Sequence, residues 1–130
     1  MHISHLHDWP TTEADAVALQ TALAGRIDTT PPLDRFELIA GCDIAYHLTE
    51  PRLFAAVVVL NASDLSVVEE VTVTREVNFP YVPGLLSFRE IPALLTAFAD
   101  LRTAPDVAML DGQGIAHPRR FGLACHLGLW

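Results

Sequence analysis

The sequence predicts an α/β domain on a mixed sheet, in which an antiparallel three-strand meander is followed by a crossover helix and a parallel fourth strand. Two observations carry this. Three strand-like runs, Phe36–Tyr46, Leu53–Leu60 and Val67–Val77, are separated by the short turns Thr49–Arg52 and Asn61–Asp64, and connections of that length join antiparallel neighbours. A helical stretch, Ile91–Leu101, then leads to the apolar run Val107–Leu110, and a helix between strands is what a parallel connection requires. With 130 residues the expectation is one domain spanning residues 1–130.

Composition narrows the function classes. Hydrophobic residues make up 51% of the chain and the mean hydropathy is +0.31, yet no apolar run approaches the ~20 residues a bilayer span needs. Met1–Asp8 lacks the basic start and apolar core of a secretory signal, so a cytoplasmic location without a membrane partner is expected. The net charge is −8 and every basic residue is Arg. Bulk charge of that sign opposes non-specific binding to a polyanion, so a nucleic-acid role needs local arginines and divalent cations. Cys42 and Cys125 are far apart with no zinc-like spacing and read as reduced core thiols.

Taken in order, His2, His5 and His7 fall in a tail expected to fray. Ala14–Ala24 reads as a helix capped by Thr11 or Thr12 and ended at Gly25, with Val17, Leu19 or Gln20, and Leu23 on its inner side. Residues Asp28–Arg35, with Pro31-Pro32, form a linker. The first strand carries Asp43 in its interior, an expensive place for an acid among apolar neighbours unless an arginine pairs with it. The second strand is apolar throughout and suits burial on both faces, whereas the third alternates and suits one wet face.

Two prolines in Asn78-Phe79-Pro80-Tyr81-Val82-Pro83-Gly84 stiffen the next loop. Its Tyr81 is expected to pack, with a wedge between bases as the alternative. Ser87-Phe88-Arg89-Glu90 has capping-box spacing; a helix that starts later, near Ile91, places Pro92 in the first turn and frees Glu90. Asp111 ends the fourth strand before Gly112-Gln113-Gly114, either capping the next turn or binding something. A last helix is expected from Pro118, with Phe121, Leu123 or Ala124, and Leu127 on one side.

Asp43, Glu90 and Asp111 thus stand on a strand, at a helix start and at a strand end. If the two strands are neighbours the aspartates converge, and carboxylates sharing a cleft repel each other unless divalent cations lie between them. Such a cluster suits Mg²⁺ or Mn²⁺, which activates water and neutralises charge on a phosphodiester.

In three blocks the chain resembles the endonuclease V family, the deoxyinosine 3′ endonucleases of the ribonuclease H-like fold. The blocks are Ala40–Tyr46 (AGCDIAY), Pro80–Glu90 (PYVPGLLSFRE) and Asp111–Ala124 (DGQGIAHPRRFGLA). The resemblance implies a ribonuclease H-like mixed sheet and catalytic residues Asp43, Glu90 and Asp111 holding Mg²⁺, with Mn²⁺ as a substitute. It implies that Pro80, Tyr81, Val82 and Pro83 form a wedge separating inosine from its partner strand. Gly112, Gly114 and His117 would help build the pocket for the flipped hypoxanthine, and Gly84 and Arg89 would also bind substrate. The implied reaction is nicking of DNA or RNA at the second phosphodiester 3′ of inosine, in repair of deaminated bases.

Two departures stand against that pattern. Gln113 occupies a position where the family usually has His. Family members also continue through another strand carrying a Lys, further helices and a late acid or His, so the fold is expected to be C-terminally truncated and completed by a homo-oligomer or a complementing chain. The alternative from another class is a catalytically inactive remnant, or a module for nucleic-acid binding or assembly. A Rossmann-like nucleotide binder rests on Gly112-x-Gly114 alone and lacks the third glycine.

Overall fold

The computed structural model describes residues 1–30 and 34–130, so residues 31–33 of the expected linker lie outside the described residues. Helix α1 spans Glu13–Ala24. Thr12 is its cap, the hydroxyl accepting the Asp15 amide at 3.2 Å, and the acids Glu13 and Asp15 in the first turn suit the positive end of the helix. Its inward stripe is Ala16, Gln20 and Leu23, at the four- and three-residue steps of one helical face.

Strands β1 (Leu38–Tyr46), β2 (Arg52–Asn61) and β3 (Val67–Glu76) form the antiparallel meander, and β4 (Val107–Leu110) pairs parallel with β1. The sheet order is β3-β2-β1-β4. β1 starts two residues later than the run that predicts it. Asp106 accounts for this, its carboxylate accepting the amides of Glu37 and Leu38 at 2.8 and 3.0 Å, so side-chain bonds hold that start of the strand.

Helix α2 (Leu86–Asp100) covers one face of the sheet and buries Ile91, Leu94, Ala97 and Phe98 in the same core as Ala40, Leu53, Ala55, Val57 and Val59. The expectation that β2 is buried on both faces is not met: its residues alternate, and Phe54 is 40% exposed. The reason is that α1 packs on Phe79, Leu85, Phe88 and Phe121 and leaves the second sheet face bare among the described residues. On β3, Val71 and Val73 meet the core while Thr72 and Thr74 are exposed, which is the expected one wet face.

Four further local expectations are corrected. The capping box does not form, since α2 begins at Leu86 with no side-chain cap and Ser87, buried inside the helix, bonds instead to His126 Nδ1 at 2.9 Å. The alternative start near Ile91 fails as well. Pro92 sits inside the helix, and its own carbonyl accepts from Arg75 Nη1 at 2.9 Å and Thr96 Oγ1 at 3.0 Å.

The last helix, α3, begins at Leu123 and not Pro118, running to Gly128. Residues 114–122 instead fold back, with the Gly122 amide bonded to the Gly114 carbonyl at 3.1 Å and Arg120 in the left-handed region at φ 56°, which a helix cannot contain.

The amino-terminal tail does not fray. The Met1 ammonium donates to the carbonyls of Ala99 and Leu101 at 3.0 and 2.6 Å, where helix carbonyls lack intrahelical partners and a cation is favoured. Trp9 stacks on Trp130 with ring centroids 5.5 Å apart. No helix among the described residues is long and apolar enough to cross a membrane.

Candidate active site

The sheet and α2 bring the predicted acids to one place. Asp43 from β1, Glu90 from the second turn of α2 and Asp111 just beyond β4 line a cleft of about 160 Å³ whose other walls include Leu86, Leu94, Leu110 and Leu123. β4 ends at Leu110, opposite Cys42, so Asp111 follows where the ladder stops beside Asp43.

The environments of the acids differ. Glu90 is buried, with 7% of its surface exposed, and burial pushes its carboxyl above the usual range, with the charges of Asp43 and Asp111 acting in the same direction. Tyr46 opposes this by donating its hydroxyl to Glu90 Oε1 at 2.9 Å, and the Arg89 charge also lowers it. Glu90 Oε2 keeps no protein partner among the described residues. Asp43 and Asp111 are both exposed. Among the described residues no arginine pairs with Asp43, and its carboxylate accepts the neighbouring Ile44 amide at 2.9 Å.

By strand alternation Asp43 starts on the opposite phase from Cys42 and Ile44, which explains how a strand interior carries an acid without burying it. Among the described residues no three His, Cys, Asp or Glu side chains are drawn together tightly enough to enclose a metal ion. The donor chemistry nonetheless fits a hard divalent cation, since three carboxylates border one cleft and the charges of Asp43 and Asp111 both act to raise Glu90. The Cys42 thiol in the same wall is pushed up to about 11 by burial, so it stays protonated and offers no thiolate ligand.

A second hollow of about 290 Å³ adjoins the first and shares Leu86 and Leu123 with it. Tyr81, Val82, Pro83 and Gly84 form one side, Gly112, Gln113 and His117 the other. Three predicted residues, Pro80, Arg89 and Gly114, are not in its walls; Gly114 instead accepts the Gly122 and His117 amides and so shapes the loop. Contrary to the packing expectation, Tyr81 is 68% exposed, because the flanking prolines hold that segment extended and away from the core. Arg89 reaches from α2 to this loop, donating to the Phe79 carbonyl at 2.8 Å, with its guanidinium 5.1 Å from the Tyr46 ring centroid and 6.0 Å from that of Tyr81.

His117 is 5% exposed. Its Nδ1 accepts the Arg119 amide at 3.0 Å, which leaves Nε2 as the protonated nitrogen that donates to the Gly84 carbonyl at 2.8 Å. Gly84 has φ +85°, and a Cβ there would come within 2.9 Å of Arg119 Nη2. The positive φ is the physical reason for glycine at this position, since the Arg119 tip could move aside but an L side chain would still be strained there. The sequence reading missed Gln20, Leu86, Ser87 and Arg119 around these hollows. Only Gln20 left a signal, as a polar residue at a helix position where an apolar one fits.

The mixed sheet, the covering helix and the acidic cleft define an α/β protein of the ribonuclease H-like fold. The Endonuclease V family model matches residues 21–130, and the chain belongs to the endonuclease V family. It is 45% identical to endonuclease V of Dehalococcoides mccartyi over 98% of this chain and 57% of that protein. The crystal structure of Streptomyces avermitilis endonuclease V superimposes with a TM-score of 0.89 at 49% identity, over 93% of this chain and 54% of that one. Ciona intestinalis endonuclease V (D234N), solved with a 23mer DNA containing an inosine followed by a ribo-adenosine, matches with a TM-score of 0.81 at 28% identity, covering 89% and 52%. The chain therefore spans about half the length of the relatives it matches.

Proposed function

We propose that this chain carries the metal-binding acids and the base pocket of a nuclease that nicks DNA or RNA at the second phosphodiester 3′ of inosine. The observation that carries the reading is the adjoining pair of hollows, one bordered by Asp43, Glu90 and Asp111 and the other by the Tyr81 loop and His117, with shared walls. The exposed Tyr81 ring is suited to enter the gap left by an extruded base, and the neighbouring hollow is close to the ~300 Å³ at which small-ligand pockets begin.

Asp43, Glu90 and Asp111 would hold Mg²⁺, or Mn²⁺ in its place, and the cation would supply charge neutralisation and an acidified water at the phosphodiester. Tyr46 fixes Glu90 through Oε1 and so leaves Oε2 to face the cleft. The backbone at Gly112 comes close to the second hollow, where a Cβ would sit 3.2 Å from Leu123, and His117 holds the Gly84 carbonyl so that the two sides keep their spacing.

A second reading follows from the open arrangement of the acids among the described residues. In it the chain binds nucleic acid or joins an assembly, and does not cut in the absence of a complementing chain. Purified protein incubated with inosine-containing oligonucleotide and Mg²⁺ separates the two. The first reading expects a nick lost in Asp43→Asn and Asp111→Asn; binding without any nick in Mg²⁺ or Mn²⁺, unaffected by either substitution, supports the second.

A further inference from the structure

Gln20 lies on α1, outside the three blocks that carry the family resemblance, and 1% of its surface is exposed. A buried amide must find partners for both its donor and its acceptor, and the partners of this one come from both sides of the base-sized hollow. Gln20 Nε2 donates to the Gly84 carbonyl at 2.8 Å and to the Phe121 carbonyl at 3.3 Å. Its Oε1 accepts from Arg119 Nε at 2.6 Å. Gly84 ends the Tyr81 loop, whereas Arg119 and Phe121 belong to the loop that follows Asp111.

We propose that Gln20 is a positioning residue that sets the distance between the Tyr81 loop and the His117 loop, and through it the selectivity of the pocket for an extruded inosine. The proposal rests on the functional reading above. Its core is the Gly84 carbonyl, on which three donors converge: Gln20 Nε2, His117 Nε2 at 2.8 Å and Arg119 Nη2 at 3.2 Å. A carbonyl oxygen has two lone pairs, and the two shortest bonds come from Gln20 and His117. Arg119 has no carboxylate partner among the described residues, so its cation is held by the Gln20 oxygen and the Gly84 carbonyl alone. Removing the Gln20 amide unties both loops at once and leaves the guanidinium without its nearest acceptor.

The test uses Gln20→Leu and Gln20→Glu in the full chain. Glutamate keeps an acceptor for Arg119 but loses the donor to Gly84, so the proposal expects both variants to behave alike. Amide hydrogen exchange at Leu85 and Gly122, which are bonded to Val82 and Gly114, should rise by about tenfold, as expected when a buried hydrogen bond is lost, while the β2 amides of Val57 and Val59 stay protected. The ratio of affinities for inosine-containing over matched inosine-free single strands, read by fluorescence anisotropy without divalent metal, should fall by a similar factor.

Unchanged exchange at Leu85 and Gly122, or a looser loop with an unchanged affinity ratio, overturns the proposal; so does a Gln20→Glu chain indistinguishable from wild type. An equal loss of affinity for both strands with faster exchange throughout β2 assigns Gln20 to stability alone and likewise overturns it. A wild-type chain with no preference for inosine overturns the functional reading instead, and the exchange rates then decide whether Gln20 holds the loops.

Discussion

His126 is fully buried in α3, with Nδ1 bonded to Ser87 Oγ at 2.9 Å and Nε2 to His7 Nε2 at 2.7 Å. Burial, with the His7 charge adding to it, holds its pKa down to about 3, and burial lowers His7 as well. The His126 ring is thus neutral in the fold near pH 7, and both rings bind protons more readily in the unfolded chain, whose histidines titrate near 6.5. The stability they contribute is full above about pH 6.5 and declines as the pH falls from there towards 3, with a slope approaching about 1.4 kcal/mol per pH unit for one proton. Other groups weaken in the same direction at lower pH, notably Glu69, which the Arg102 amide first and the Thr103 amide next hold near 2. The informative quantity is therefore the difference between wild type and His126→Phe: the unfolding midpoint of the variant should fall less steeply between pH 7 and 4, and parallel curves would rule this out. Asp43 and Asp111 stand out in the sequence because an acid in or ending an apolar strand is locally anomalous. Gln20 leaves only the weak signal of a polar residue on an inner helix face and His126 none, since what makes them special is partners 64 and 119 residues away.

At the scale of elements, the strands and the antiparallel meander could be read because alternation and turn length are local, while the place of β4 beside β1 and the start of each late helix depended on distant contacts. Ser87 and Glu90 have capping spacing, but the buried His126 takes the serine and the acidic cleft takes the glutamate. The Asp111–Gly122 loop shows the same override. The Gly122 position has no room for a side chain, because a Cβ there would collide with the Gln113 carbonyl, and the Gln113 carbonyl also accepts the Ala124 amide at 3.2 Å as α3 begins. Gly122→Ala should consequently destabilise the chain by roughly 2–3 kcal/mol, as overpacking against backbone does. Gly25→Ala is the control, since nothing lies within 4 Å of its Cβ and its φ of −69° suits any residue; it should be neutral or slightly stabilising. Chemical denaturation of the two variants checks this, and equal midpoints would refute the tight fit of the loop.

For the whole molecule, the two edges of the sheet are unequal. β3 carries Glu69, Glu70, Arg75 and Glu76, charges that discourage a strand from adding to that edge. β4 is Val107-Ala108-Met109-Leu110 with no charge at all; among the described residues it pairs only with β1, and Met109 is 63% exposed. Beside it lies an apolar hollow of about 300 Å³ with Ile3, Leu95, Phe98, Leu127 and Trp130 in its walls. Unpaired amides and carbonyls next to uncovered apolar surface favour association with another strand, and the net charge of −8 opposes this only weakly at physiological salt, where repulsion decays within about 8 Å. Sedimentation velocity should accordingly show association that grows with protein concentration across the micromolar range and with added salt. Met109→Lys places a charge on the free edge and should shift the chain towards monomer without lowering its unfolding midpoint, whereas Glu70→Gln on the opposite edge should leave association as it was. A wild-type chain monomeric at every concentration, or a Met109→Lys chain that associates equally well, would show that β4 is not the surface through which the molecules meet.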